Sequence, residues 1–147
     1  MTTLLNQTIT TAISAVPGSV WQFRPAQFGS TPRHLSIQAQ FVYGGSGGTS
    51  ATAFLQTSFD GGTTWCDIAC FAFTTSSATK ICNLSSLTAV ATQATPTNGS
   101  LANNSCVDGF LGPVLRVLVT TVGTYAGGTT LTINADSNDR MILQGSE

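Results

Sequence analysis

Charge is what this chain has least of. Five Lys or Arg and six Asp or Glu among 147 residues leave 7% of positions charged, against about 25% in an ordinary soluble domain. Five scattered basic residues and a formal net charge of −1 cannot assemble the patch of Lys and Arg that neutralises phosphates, so nucleic acid is not an expected partner. The same shortage excludes a polybasic membrane-binding face, and no apolar run approaches the ~20 residues of a spanning helix. Residues 1–19, MTTLLNQTITTAISAVPGS, lack the basic start and compact apolar stretch of a secretory signal. Synthesis in the cytoplasm without signal-directed export is the expectation.

Groups for catalysis are scarce too. His34 is the single histidine, and no G-x-S-x-G elbow accompanies it to make a Ser-His-Asp device. Apart from Glu147 the carboxylates are Asp60, Asp67, Asp108, Asp136 and Asp139, a thin stock from which to build a glycosidase pair. No P-loop, dinucleotide fingerprint or EF-hand pattern is present. The expectation is no enzyme, no catalytic residue and no cofactor.

Four cysteines, Cys66, Cys70, Cys82 and Cys106, raise disulfide and metal readings. On a strand, Cys66 and Cys70 would lie roughly 13 Å apart at about 3.3 Å per residue, beyond the ~7 Å that a bridge spans. Zinc sites open on a C-x₂₋₄-C turn rather than a strand, and His34 alone could add an imidazole. No metal site is expected. Reduced thiols in the core are the default, with pairing of Cys82 or Cys106 left open.

In place of charge stand 24 Thr, 15 Ser and 15 Gly, beside a hydrophobic fraction of 41%. That apolar content and the length suit one domain, residues 1–147, around a single core. From His34 to Tyr43 the apolar residues Leu35, Ile37, Ala39 and Phe41 alternate with polar ones, the period of a strand with one buried face. Further strands are predicted over Ala51 to Ser58, Thr63 to Phe73, Ala78 to Leu84, Pro113 to Val122 and Thr129 to Ala135. In the run from Thr63, strict alternation puts Trp65, Ala69, Phe71 and Phe73 on one face and Cys66, Ile68 and Cys70 on the other. Residues 85–104 read as a long connection crossing between sheets, and residues 1–20 as an apolar arm, either a strand in the core or a reach to a neighbour. The predicted class is all-β: an antiparallel β-sandwich, jelly-roll-like, of about eight strands.

The sharpest local motif is Ser58-Phe59-Asp60-Gly61-Gly62-Thr63-Thr64-Trp65. It resembles the Asp box, S-x-D-x-G-x-T-W, through Ser58, Asp60, Gly62, Thr64 and Trp65. Asp60 can accept turn amides, Gly61 and Gly62 can take positive φ, and Trp65 can pack beneath the hairpin. In sialidase-like propellers the motif is structural, so the resemblance implies a hairpin and no activity. Interface candidates are Leu4, Leu5 and Ile9 in the arm, Arg24 in the Trp21 to Phe28 aromatic segment, and Arg116. Trp21 and Phe23, two apart, read as core. Arg116 shares a strand face with Val114 and Leu118; if that face is covered, it needs a carboxylate or carbonyl partner, for which a neighbouring subunit is the candidate.

From Phe54 to Ala135 the chain, most visibly in FLQTSFDGGTTWCDIACFAF (54–73) and DGFLGPVLRVLVTTVGTYAGGTTLTINA (108–135), resembles small β-rich proteins encoded among the head genes of tailed bacteriophages. The resemblance covers somewhat more than half the chain. It implies a jelly-roll capsid cement or decoration protein that binds the outside of an icosahedral head and bridges major capsid protein subunits, with no catalytic residues. A nearly uncharged Ser/Thr/Gly-rich surface suits such repetitive packing, since many copies multiply modest contacts. Self-association is expected, dimers and trimers both being compatible with capsid symmetry axes. A phage tail or neck component and a carbohydrate-binding β-sandwich module are the alternatives.

Overall fold

In a computed structural model, which describes residues 1–24, 33–137 and 139–145, the described residues contain no helix. Twelve strands follow one another: β1 (Thr2–Thr8), β2 (Val16–Pro17), β3 (Trp21–Arg24), β4 (His34–Val42), β5 (Ser46–Gly47), β6 (Ser50–Ser58), β7 (Cys66–Phe73), β8 (Ala78–Ser85), β9 (Val114–Val122), β10 (Tyr125–Ala126), β11 (Thr130–Ser137) and β12 (Arg140–Leu143). They form a four-stranded sheet in the order β1-β11-β4-β8 and a second sheet in the order β12-β3-β9-β6-β7, with β2 added beside β9. Strands β5 and β10 make a small ribbon.

The winding is that of a jelly roll. Leaving out the two-residue strands, the first strand pairs with the eighth (β1 with β11) and the second with the seventh (β3 with β9). The third then pairs with the sixth (β4 with β8) and the fourth with the fifth (β6 with β7), all antiparallel. Four nested pairs rolled around a core give the double-sheet, two-Greek-key arrangement. Strand β12 extends the second sheet beside β3.

Alternation places the core. The β4 residues Leu35, Ile37, Ala39 and Phe41 are all buried, while the residues between them are exposed. They meet Leu55, Phe71, Leu115, Val117 and Val119 of the opposite sheet in one apolar cluster. At one end Phe41 stacks on Phe73 at 5.1 Å and meets the fully buried Tyr125 edge-on at 5.5 Å. The Tyr125 hydroxyl donates to the Thr74 carbonyl at 2.8 Å. Gly48, at φ +74°, lies so close that a Cβ would sit 2.3 Å from the Tyr125 ring, which restricts that position to glycine twice over.

Two expectations are corrected. Of the two readings of residues 1–20, residues 2–8 take the strand and not the reach to a neighbour: they form β1, hydrogen-bonded along β11. Leu4 and Ile9, exposed by 3% and 1%, belong to the chain's own core, and half-buried Leu5 packs against it. A bulge at Thr3/Leu5 turns both leucines inward, which supplies the apolar contact that the arm reading reserved for a neighbour. The strict alternation of residues 63–73 also fails. A second bulge, at Leu55/Gln56 opposite β7, makes Leu55 face Ala69 and Gln56 face Asp67. Ile68 therefore joins Ala69, Phe71 and Phe73 in the main core, while Cys70 packs on the other face with Phe54 and Leu118. One inserted residue reverses the face of everything before it.

Candidate functional site

The hairpin between β6 and β7 is built on Asp60. Its Oδ1 accepts the backbone N–H groups of Thr63 at 3.0 Å and Thr64 at 2.7 Å, and the Ser58 hydroxyl at 2.8 Å. Ser58 Oγ in turn accepts the N–H of Gly62 at 2.9 Å. Gly61 and Gly62 take φ of +74° and +98°. Bonds from Thr64, Ser58 and Thr63 favour the ionised form and hold the Asp60 carboxyl at about 2. The tip residue Phe59 is 63% exposed.

From this hairpin a polar chain runs across the outer face of the second sheet. The Arg116 guanidinium lies 4.2 Å from the centre of the Trp65 ring, a cation–π contact. Its Nε donates to Gln56 Oε1 at 2.7 Å, and Gln56 Nε2 donates to Asp67 Oδ1 at 2.7 Å and to Asn98 Oδ1 at 2.7 Å. Gln56 and Asp67 are 0% and 1% exposed. Asp67 then collects the N–H groups of Gly99, Ser100 and Leu101 at 2.8 to 3.2 Å. Burial pushes the Asp67 carboxyl up, but the bonds from Gln56, Gly99 and Ser100 outweigh it and its pKa is lowered. A buried carboxylate is tolerable because its lone pairs are filled.

This chain of bonds fastens a roof. Residues 86–113 connect β8 of the first sheet to β9 of the second, and Leu101 packs on Phe54, Cys70 and Leu118 of the second sheet's outer face. The same segment covers the free edge of β7, where Cys70 N–H donates to Ser105 O and Val107 N–H to Ile68 O, both at 2.9 Å. Arg116 thus has its partners within its own chain, which corrects the assignment to a neighbouring subunit. The residue type was a sound signal of a covered face; what covers that face is a segment of the same chain.

Among the described residues no such roof covers the outer face of the first sheet. Register sets its side chains in rows: Thr3, Asn134, Gln38 and Ile81 in one; Asn6, Thr132, Gln40 and Thr79 in the next; Asp136, Ser36 and Asn83 in a third. Hydrogen bonds tie neighbours laterally, Thr3 to Asn134 at 2.8 Å and Thr132 to Asn6 at 3.3 Å. Asp136 is 3.1 Å from the Met1 amino group, which neutralises the charge in that row. Ile81, 78% exposed, stands out of this neutral field. Beside it lies a trough of about 420 Å³ bordered by Ser36, Gln38, Asn83, Asn134 and Asp136. Chemically the face offers neutral donors and acceptors, with Ile81, Met1 and Val42 as exposed apolar points.

Of the residues singled out by sequence, Ser58, Asp60, Gly62, Thr64 and Trp65 are gathered in the hairpin, and Arg116 meets them through Trp65. Leu4, Leu5 and Ile9 lie on the far sheet and inside. The backbone of Arg24 pairs with Arg140 in β12; its side chain and Phe28 lie outside the described residues. Ile81 was missed, although alternation in β8 between Thr79, Ile81, Asn83 and the inward Cys82, Leu84 carried the signal. Among the described residues no group of three His, Cys, Asp or Glu is arranged to hold a metal.

The chain matches no family model, no characterised protein and no solved structure.

Proposed function

We propose that this protein is a structural component of a phage virion, a cement or decoration protein that sits on the outer surface of an icosahedral head and strengthens contacts between major capsid protein subunits. The observation that supports this reading most directly is the outer face of the four-stranded sheet, which no described segment covers and which is nearly uncharged and crowded with Thr, Asn, Gln and Ser around Ile81. Such a face pairs by hydrogen bonds and a few apolar contacts, each modest alone, and a lattice repeats them many times. Self-association as a dimer or trimer at a symmetry axis belongs to the same proposal. The carbohydrate-binding alternative is less favoured: Trp65 and Tyr125 are buried, and the Trp21 Nε1 and Tyr43 hydroxyl donate within the chain, to Leu4 O and Gly47 O.

The test is reconstitution. Particles lacking the protein are expected to rupture at lower temperature and milder osmotic shock, and added wild-type protein to restore them. Equal robustness with and without it would remove the cementing role. Recovery of the protein from tails rather than heads would move it to a tail or neck position.

A further inference from the structure

The four thiols are unpaired, but two are set against each other. Cys82 lies in β8, held at both neighbours by the β4 register Ile37↔Cys82. Cys106 lies in the roof segment, bridged to Ala69 of β7 and fixed on either side by the hydrogen bonds of Ser105 and Val107. Both line one groove of about 320 Å³ at the edge where the two sheets come together, with Lys80 and the buried Cys70 beside them. At this edge Lys80 already ties the layers: from β8 its Nζ donates to Ala72 O of β7 at 2.5 Å and to Asn104 Oδ1 at 2.6 Å, and it lies 5.1 Å from the Phe73 ring. Cys106 is exposed and Cys82 half-buried behind it.

We propose that Cys82 and Cys106 are a site of reversible disulfide formation, a staple that joins the first sheet to the roof of the second under oxidising conditions. The two thiols face one groove from backbones that strand pairing and hydrogen bonds hold, and the exposed one admits the oxidant. With a small disulfide such as oxidised glutathione, the Cys106 thiolate attacks one sulfur and releases the first glutathione thiolate. Cys82 then gives its proton to solvent and attacks the Cys106 sulfur of the mixed disulfide, releasing the second. Two protein thiols become one disulfide, and one oxidant disulfide becomes two thiols. Before oxidation the Cys82 thiol is pushed up to about 12 by burial and by the adjoining Cys106 thiol, so it rests protonated and the reduced pair persists where the glutathione pool is reducing. Closing the loop from 82 to 106 restrains the unfolded chain and anchors the roof.

The experiment exposes the folded, reduced protein to oxidised glutathione, alkylates remaining thiols after denaturation, and maps the peptides by mass spectrometry. The expected result is a Cys82–Cys106 cross-link with Cys66 and Cys70 alkylated, and a Tm raised by roughly 5–10 °C. Cys106→Ser changes an exposed position and is expected to fold normally and to lose the Tm increase. A Cys70–Cys106 link, an intermolecular disulfide, a stable glutathione adduct at Cys106 without closure, or an undiminished Tm increase in Cys106→Ser would each overturn the proposal.

Discussion

Asp67 grips Gly99 with both carboxylate oxygens, at 2.9 and 2.8 Å, across 32 positions of sequence. The contact fastens a long irregular connection onto the outer face of a sheet, and with it decides which face of the sandwich stays open.

Asp67→Asn is expected to cost about 2–3 kcal/mol, the range for losing charge-assisted hydrogen bonds to buried donors. Urea unfolding gives the number. Limited proteolysis should show new cleavage confined to residues 86–112, and an unchanged digestion pattern would mean that Asp67 does not hold the roof.

Stability is expected to depend on acid in a defined window. The Asp67 pKa is lowered from 3.8, by Gln56, Gly99 and Ser100 against the opposing push of burial, and the Asp60 carboxyl is held at about 2. A carboxylate with a depressed folded pKa contributes fully above its unfolded value and loses that contribution as pH falls through its folded one. Urea midpoints should therefore be level above about pH 5 and drop from about pH 4 toward 2. In Asp67→Asn the drop should be shallower.

Asp60→Ala is expected to act locally. Amide exchange at Gly62, Thr63 and Thr64 should accelerate, because Ser58 and Asp60 accept those N–H groups, and Trp65 fluorescence should shift as its hairpin loosens. Retention of wild-type exchange at all three amides would contradict the hairpin's dependence on Asp60.

Leu4→Ala is expected to destabilise the isolated protein by about 2–4 kcal/mol, the cost of a core truncation. An interface residue would instead leave the monomer's unfolding curve in place and weaken only assembly.

Ile81→Asp reverses that pattern. At 78% exposure the substitution should stay within about 0.5 kcal/mol of wild type in stability, yet abolish co-sedimentation with capsids. Wild-type protein should stay bound in about 0.5 M salt, since few charges are available to be screened. Release at that salt would point to ionic contacts elsewhere on the surface.

Much of the fold was legible because period-two alternation is a local property. Leu35, Ile37, Ala39 and Phe41 announce their face without reference to any other strand, and Ser58 to Trp65 carry their turn chemistry within eight positions. Bulges are not local in that sense. Nothing near Ile68 says that Leu55 and Gln56 will shift register opposite it, so the faces of Trp65 and Ile68 were assigned wrongly from alternation alone, while Cys70 lies on the face alternation gave it. Arg116 signalled a covered face, but its partner Gln56 lies 60 positions away, and no spacing rule connects them.

The shortage of charge, the all-β class and the sandwich architecture were determined by the sequence itself, since composition and short-range periodicity act on each segment separately. Tertiary structure alone decided that residues 2–8 close a sheet rather than reach outward, and that residues 86–113 roof one face and leave the other bare. It also set Cys82 opposite Cys106. These depend on which distant segments find one another, and that choice is made by the burial and hydrogen-bond satisfaction of the whole chain.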